Sequence, residues 1–382
     1  MSSYFFLPNT SIFGAGCIND IGSQAARLGK KSYLLITDSF LAKSDIVNKI
    51  KTSLNAEGIE LFVYDKVTPN PTLIAVNEAY EMYKTNNIGG LISLGGGSAH
   101  DCTKAVAILT ANPGPIEQYV GVNMFPKKGC PVIAVNTTAG TASEITDCFL
   151  ITNTETNTKL IFEGVNALVD VAIDDPELML TLPTKLTSST GMDALTHAVE
   201  CYVSNFSFKL ANILAVDAVK LIFKSLKRAC DVPNDIEARD DMVVGQYLAG
   251  MAFGNGGVGV CHATAHSLGG LYNLPHGLLN AILLPHVMRF NATVAADKYA
   301  QLYDALANDD SDLTIEAKCN KFIDMVEELS SDIGTKIPLK ELGVKEEDFD
   351  KLADKALQDS CCDTNPIYPT KEDIVNILKA AY

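Results

Sequence analysis

Basic residues are in short supply: Lys and Arg total 30 against 46 Asp and Glu, leaving a formal net charge of −16. Phosphates would be repelled by that balance, so it excludes nucleic acid as a partner and argues against an anionic membrane surface. No stretch reaches the about 20 uninterrupted apolar residues that a spanning helix needs. The opening Met1-Ser2-Ser3-Tyr4-Phe5-Phe6-Leu7-Pro8 has no basic n-region, and Pro8 breaks its apolar run early, so it is not expected to act as a signal peptide. The ten cysteines form no C-x-x-C pair and keep no regular spacing. They read as reduced thiols of a cytoplasmic chain, most of them small core residues. Internal repeats, low-complexity tracts and Gly/Ser linkers are absent too, so domain limits must come from a change of pattern.

The pattern does change. A chain of 382 residues with 47% hydrophobic content is long enough for two packed domains. Up to about residue 180, short aliphatic runs at 32–37, 60–64, 90–94, 132–135 and 167–173 read as strands. Amphipathic stretches alternate with them, among them a helix predicted over 72–84, and together they make a parallel α/β layer. After Pro183, residues 188–202, 211–230, 236–250 and 299–306 keep a helical period and β-branched runs nearly vanish. The expected architecture is an α/β, Rossmann-like domain over 1–182 and an all-α domain over 183–382.

A turn, Gly95-Gly96-Gly97-Ser98-Ala99-His100-Asp101, follows the third strand and leads into a helix read over 103–109. Strand, glycines and helix make a phosphate cradle, because backbone N–H groups can approach a pyrophosphate and the helix end carries partial positive charge. The G-x-G-x-x-G fingerprint is missing, and a plain tight turn would look similar. A second polar cluster, Asn136 to Glu144, follows the strand at 132–135, where open α/β sheets bind ligands. The alternative is a loop capping a following helix through Thr141 or Ser143. Asp38 closes the first strand, where an acidic side chain can accept hydrogen bonds from an adenosine ribose and repel a 2′-phosphate, which selects NAD over NADP.

Five of the six histidines fall in the helical half. Asp193 and His197 are four apart and share one helix face, and His262 and His266 repeat that spacing after a Gly-rich loop. His276 follows Pro275. Several imidazoles with one carboxylate suit Fe²⁺ or Zn²⁺ and suit Mg²⁺ or Ca²⁺ poorly. A lone histidine on an apolar helix face is commonly a hydrogen-bonded core residue, and His286, which has no partner at chelating spacing, is read that way.

Gly95-Gly96-Gly97-Ser98 with Asp101 and Lys104, Thr137-Thr138-Ala139-Gly140-Thr141-Ala142-Ser143-Glu144, Gly191-Met192-Asp193-Ala194-Leu195-Thr196-His197-Ala198, His262-Ala263-Thr264-Ala265-His266 and Pro275-His276-Gly277 occur in this order. This set resembles the iron-dependent (group III) alcohol dehydrogenases over essentially the whole chain, and within them the 1,3-propanediol dehydrogenase and bacterial methanol dehydrogenase branch. The resemblance implies a cofactor lying in a cleft between the domains and Fe²⁺ held by Asp193, His197, His262 and His276. It implies NAD(H) contacts from Asp38, Gly96, Gly97, Ser98, Asp101, Thr137, Thr138, Thr141 and Lys159. His266 is then a candidate for proton handling, and Cys148, Phe253 and Cys261 are expected about the substrate. Relatives range from dimers to larger assemblies, so a homo-oligomer is expected.

The chain departs from the family pattern at several places. Ala142 stands where many members carry Gly, Cys261 where a bulkier residue is usual, Gly256-Gly257 where a stiffer pair is usual, and Asn365-Pro366-Ile367 where Asn-Pro-Arg is common. These changes bear on the substrate, not the chemistry. The expected reaction is hydride transfer between NAD(H) and a small alcohol or aldehyde. The alternatives are a reductase of a charged aldehyde, such as sulfoacetaldehyde or phosphonoacetaldehyde, and a glycerol or lactaldehyde type dehydrogenase. A lyase resembling dehydroquinate synthase would need a Lys/Arg cluster near the histidines, which is absent.

Overall fold

In a computed structural model, which describes residues 3–156, 158–306 and 312–382, the chain divides into two compact units. One is Phe5–Thr181 and the other Leu182–Tyr382, to which Tyr4 also belongs.

The first unit has nine described strands: β1 (Thr10–Phe13), β2 (Ser32–Ile36), β3 (Glu60–Tyr64), β4 (Gly90–Gly95), β5 (Gly121–Val122), β6 (Val132–Asn136), β7 (Cys148–Asn153), β8 (Thr158–Glu163) and β9 (Val171–Asp174). Its helices are α1 (Ile21–Arg27), α2 (Asp45–Ala56), α3 (Leu73–Thr85) and α4 (Gly97–Ala111). β4, β6 and β9 are buried at every residue, which is why they read as unbroken aliphatic runs and not as alternations. Six strands form one parallel sheet in the order β1-β9-β6-β4-β2-β3. The chain leaves β2 toward β3 at one edge, and β4, β6 and β9 then run toward the other. The reversal between β2 and β4 is where doubly wound sheets bind their ligands, at the strands' carboxyl ends. Ile21, Ile50, Leu54, Leu35, Ile92 and Ile133 belong to the core cluster on this sheet.

A smaller sheet, β5-β8-β7, stands apart from it. Its hairpin pairs Phe149 with Phe162, whose rings stack at 4.7 Å. The β-branched and aromatic content of 148–153 and 158–163 is the signal that could have disclosed this hairpin, but the polar Thr154, Glu155 and Thr156 that follow β7 obscure it.

Among the described residues the second unit is all helical: α5 (Thr184–Val203), α6 (Lys209–Asp231), α7 (Ile236–Gly256), α8 (Val260–Tyr272), α9 (His276–Leu306), α10 (Ile315–Asp332), α11 (Phe349–Ala356), α12 (Cys361–Thr364) and α13 (Lys371–Ala380). No described helix in the chain is long and apolar enough to cross a membrane.

Several expected boundaries move. The helix expected over 103–109 begins at Gly97, because α4 is buried nearly all round and shows no polar face. The strand expected over 167–173 begins at Val171. Before it, Asp170 turns its carboxylate to Lys128 and to the Val132 N–H. The helix expected over 299–306 is the end of α9, whose pattern is interrupted by Pro285 and by a kink at Ala295. No helix follows the 136–144 cluster, so Thr141 and Ser143 cap none; the chain runs on into β7.

Candidate active site

The metal-ligand candidates come from three helices of the second unit. Asp193, His197 and Glu200 recur along α5, which is buried almost throughout from Thr187 to Val203. Buried polar side chains need partners, and these find them on α8 and α9. Gly277 lets the start of α9 close on α5, since a Cβ there would stand 2.5 Å from the Ser189 carbonyl oxygen. Asp193 Oδ1 is then 3.5 Å from His276 Nε2 and 4.0 Å from His262 Nε2. The ligand atoms of Asp193, His262 and His276 all lie within 4.8 Å of one another. Asn280 marks the point of convergence, its Nδ2 donating to Asp193 Oδ1 at 2.7 Å and approaching His262 Nε2 at 3.0 Å and His276 Nε2 at 3.2 Å.

His262 donates from Nδ1 to Glu200 Oε2 at 2.5 Å. That bond places the ring proton on Nδ1 and leaves the Nε2 lone pair facing Asp193 and His276. Burial works against a charged ring, but the Glu200 and Asp193 carboxylates outweigh it and raise the His262 pKa. One carboxylate with inward-facing imidazole nitrogens is a donor set that fits a first-row divalent cation.

His197 stands beside this group, not within it. Its ring stacks on His262 at 4.4 Å and on Phe253 at 4.0 Å between centroids. His266 stacks on His276 at 5.1 Å, and its Nδ1 donates to Asp359 Oδ2 at 2.7 Å. Asp359 Oδ1 also accepts the Cys361 N–H at 3.0 Å. Burial alone would raise the Asp359 pKa, yet the His266 ring and that N–H hold it well below the usual carboxylate range. Cys261 is fully buried, with its thiol against the Asn280 carbonyl at 3.6 Å. Its place is in the packing of α8 on α9 and not on an open pocket wall. His286 lies further along α9, outside the cluster.

The nucleotide-binding candidates gather at the carboxyl ends of β2, β4 and β6 in the first unit. Thr37 Oγ1 ties the ends of β2 and β4 through the Leu94 carbonyl at 2.7 Å. Next to it, Asp38 Oδ1 accepts the N–H groups of Phe40 and Leu41 at 2.7 and 2.9 Å. α4 begins at Gly97 with no side-chain cap, so no capping side chain meets the positive end of its dipole. The turn and the Thr137 to Thr141 loop lie against each other: a Cβ on Gly96 would come within 2.6 Å of Thr138 Oγ1, and one on Gly97 within 2.9 Å of Thr141 Cγ2. Thr137 and Thr138 are buried and Ser98 partly so. An uncapped helix start beside glycines and hydroxyls fits a pyrophosphate.

Beneath the turn, Lys104 is buried and donates to Ser143 Oγ at 3.2 Å and to the Thr146 and Cys148 carbonyls at 2.7 and 2.8 Å. Burial lowers the Lys104 pKa while the Asp101 carboxylate opposes that shift. Asp101 accepts from Ser143 Oγ at 2.7 Å and from Leu150 N at 3.0 Å, and is raised by its burial against the pull of Lys104. Lys159, on β8, adds a further positive charge felt by Asp101. Asp101 thus anchors the turn to β7. Burial, with Glu163 nearby, pushes the Cys148 thiol well above its ordinary value, so it stays a neutral thiol.

Three residues of the helical site escaped the sequence reading. Glu200 continues the Asp193/His197 face by one turn, and Asn280 is four residues past His276, so spacing could have found both. Asp359 lies 93 residues from its partner His266, and no local pattern announces it.

The chain is similar to known proteins along nearly its whole length. Residues 8–176 match the family model described as iron-containing alcohol dehydrogenase, and residues 187–382 match that of the Fe-containing alcohol dehydrogenase family, C-terminal. The chain is 41% identical to alcohol dehydrogenase 4 of Schizosaccharomyces pombe, covering 99% of this chain and 89% of that one. It is 38% identical to the NAD-dependent methanol dehydrogenase of Bacillus methanolicus, covering 99% of each. The crystal structure of a 1,3-propanediol oxidoreductase superposes with a TM-score of 0.98 at 38% identity over 100% of both chains. The chain belongs to the iron-containing alcohol dehydrogenase family.

Proposed function

We propose that this protein interconverts a small primary alcohol and its aldehyde by hydride transfer with NAD(H), at a divalent iron held by Asp193, His197, His262 and His276. The observation that carries the reading is the convergence of Asp193, His262 and His276 within 4.8 Å, with the His262 Nδ1 engaged by Glu200 and its Nε2 turned toward the other two. His197, stacked on His262, is the fourth residue that would hold the metal. Zn²⁺ suits the same donors.

When bound, the metal supplies Lewis-acid polarisation of the substrate oxygen and the dinucleotide carries the hydride. The chain's own work is placement and proton handling. Gly96, Gly97, Ser98 and the uncapped start of α4 hold the pyrophosphate, with Thr137, Thr138 and Thr141 beside them. Asp38 selects NAD through the ribose, and Asp101 and Lys159 secure the surrounding loop. His266 holds and moves the proton at Nε2, since Asp359 occupies its Nδ1. Phe253, stacked on His197, borders the substrate in the helical unit, and the scarcity of cations among the named residues there favours a neutral substrate over a sulfonate or phosphonate.

The test is NADH oxidation by the iron-loaded protein across formaldehyde to butyraldehyde, 3-hydroxypropionaldehyde, lactaldehyde and sulfoacetaldehyde. Turnover of small neutral aldehydes that stops on chelation supports the reading, and no turnover of any of them removes it.

We further place the chain in the cytoplasm as a homo-oligomer. All ten cysteines are free thiols, as a reducing compartment requires. Leu210 and Ile213 on α6, with Phe206 in the turn before it, expose apolar side chains suited to a subunit contact.

A further inference from the structure

We propose that Glu200 is a positioning residue of the metal centre, fixing the tautomer and the orientation of His262 and with them the affinity for the cation. The inference rests on the reading of His262 as a metal ligand. Glu200 is 2% exposed and its two oxygens are both engaged. Oε2 accepts the His262 Nδ1–H at 2.5 Å and Oε1 accepts the Cys261 N–H at 2.7 Å. Cys261 N is among the first N–H groups of α8, which begins at Val260 without a side-chain cap of its own; Asn365 Oδ1 accepts the Val260 N–H at 3.2 Å and Glu200 the one after it. One carboxylate from α5 therefore ties the start of α8 to the way its ligand ring is turned.

The carboxylate is required, not merely a polar group of that shape. Both partners are donors, and a carboxylate is acceptor at both oxygens. A carboxamide would present its own N–H to one of the two. If it faces His262, the ring loses its reason to keep the proton on Nδ1, and Nε2 is no longer held as a lone-pair donor. Such outer partners of ligating histidines are worth about 10- to 100-fold in metal affinity.

The experiment uses the full-length chain, stripped of metal and titrated with Co²⁺, whose visible absorption reports ligand number and geometry. E200Q is expected to weaken Co²⁺ binding by about 10- to 100-fold and to alter the spectrum, with binding of NADH, followed by its own fluorescence, unchanged. E200D, too short to span both partners, is expected to lose affinity as well. Wild-type affinity and spectrum in E200Q would overturn the proposal. H262A separates this from failure of the ligand reading: if it too binds Co²⁺ normally, His262 is not a ligand and both fall. Should E200Q not fold, the wild-type protein with ¹⁵N-labelled histidine decides the point. A proton on His262 Nδ1 supports the proposal, and a ring protonated on Nε2 alone overturns it.

Discussion

Asp359 Oδ2 lies 2.7 Å from His266 Nδ1, while its other oxygen takes the Cys361 N–H at 3.0 Å, so one carboxylate orients the histidine expected to handle the proton. Removing the charge in D359N leaves a side chain of equal size that no longer fixes the ring. We expect kcat to fall by about 100-fold, the lower range for general acid–base catalysis, with KM and metal content little changed. Steady-state kinetics checks this, and an unaltered kcat removes Asp359 from the mechanism.

The same pair makes the fold sensitive to acid. The Asp359 pKa is held below its ordinary value, so in this range the unfolded chain binds a proton that the folded one does not. Its contribution is fully present above about pH 4, the ordinary carboxylate pKa, and is lost as pH falls through the lower folded value. Thermal midpoints recorded across acid pH should decline more steeply for wild type than for D359N, and parallel declines contradict the assignment.

Asp38 closes β2 at the reversal of the sheet, held by its bonds to the Phe40 and Leu41 N–H groups. If Asp38 selects the cofactor as proposed, D38G removes a charge opposing a 2′-phosphate, and the ratio of kcat/KM for NADPH to that for NADH should rise by about 10-fold or more, or about 1.4 kcal/mol. An unchanged ratio would place cofactor choice elsewhere.

Lys104 holds the turn to β7 through two carbonyls and Ser143, with Asp101 close by. K104M would strand those buried acceptors. Denaturant unfolding should show a loss of about 1–3 kcal/mol, the cost of leaving buried polar groups unsatisfied, and an unchanged midpoint would contradict that role.

Ala142 has φ of +50°, a left-handed conformation that a Cβ opposes by about 1 kcal/mol. A142G relieves this while freeing the unfolded chain by a similar amount. Unfolding midpoints are expected to agree closely, and a large loss would show that the methyl group packs usefully.

The sheet strands at 32–36, 90–95 and 132–136 were legible because burial on both faces makes them largely apolar runs, and the edge strand at 60–64, exposed at Glu60 and Val63, was legible from its aromatic and aliphatic content. The start of α4 was not, since Ser98, His100, Thr103 and Lys104 look solvent-facing in sequence but lie at least partly buried in a partnered network. The same divide runs through the site. Asp193 with His197, and His262 with His266, announce themselves by spacing within one helix, whereas the Asp359–His266 and Glu200–His262 bonds join residues 93 and 62 apart. Tertiary packing alone brings them together.

The most direct test of the metal assignment is anomalous diffraction at the iron edge from crystals of the iron-loaded protein. The account predicts one peak per chain at about 2.0–2.2 Å from Asp193, His197, His262 Nε2 and His276 Nε2. A peak instead among His266, Asp359 and Cys361, whose ligand atoms also lie within 4.8 Å of one another, or no peak in the helical unit, would contradict it.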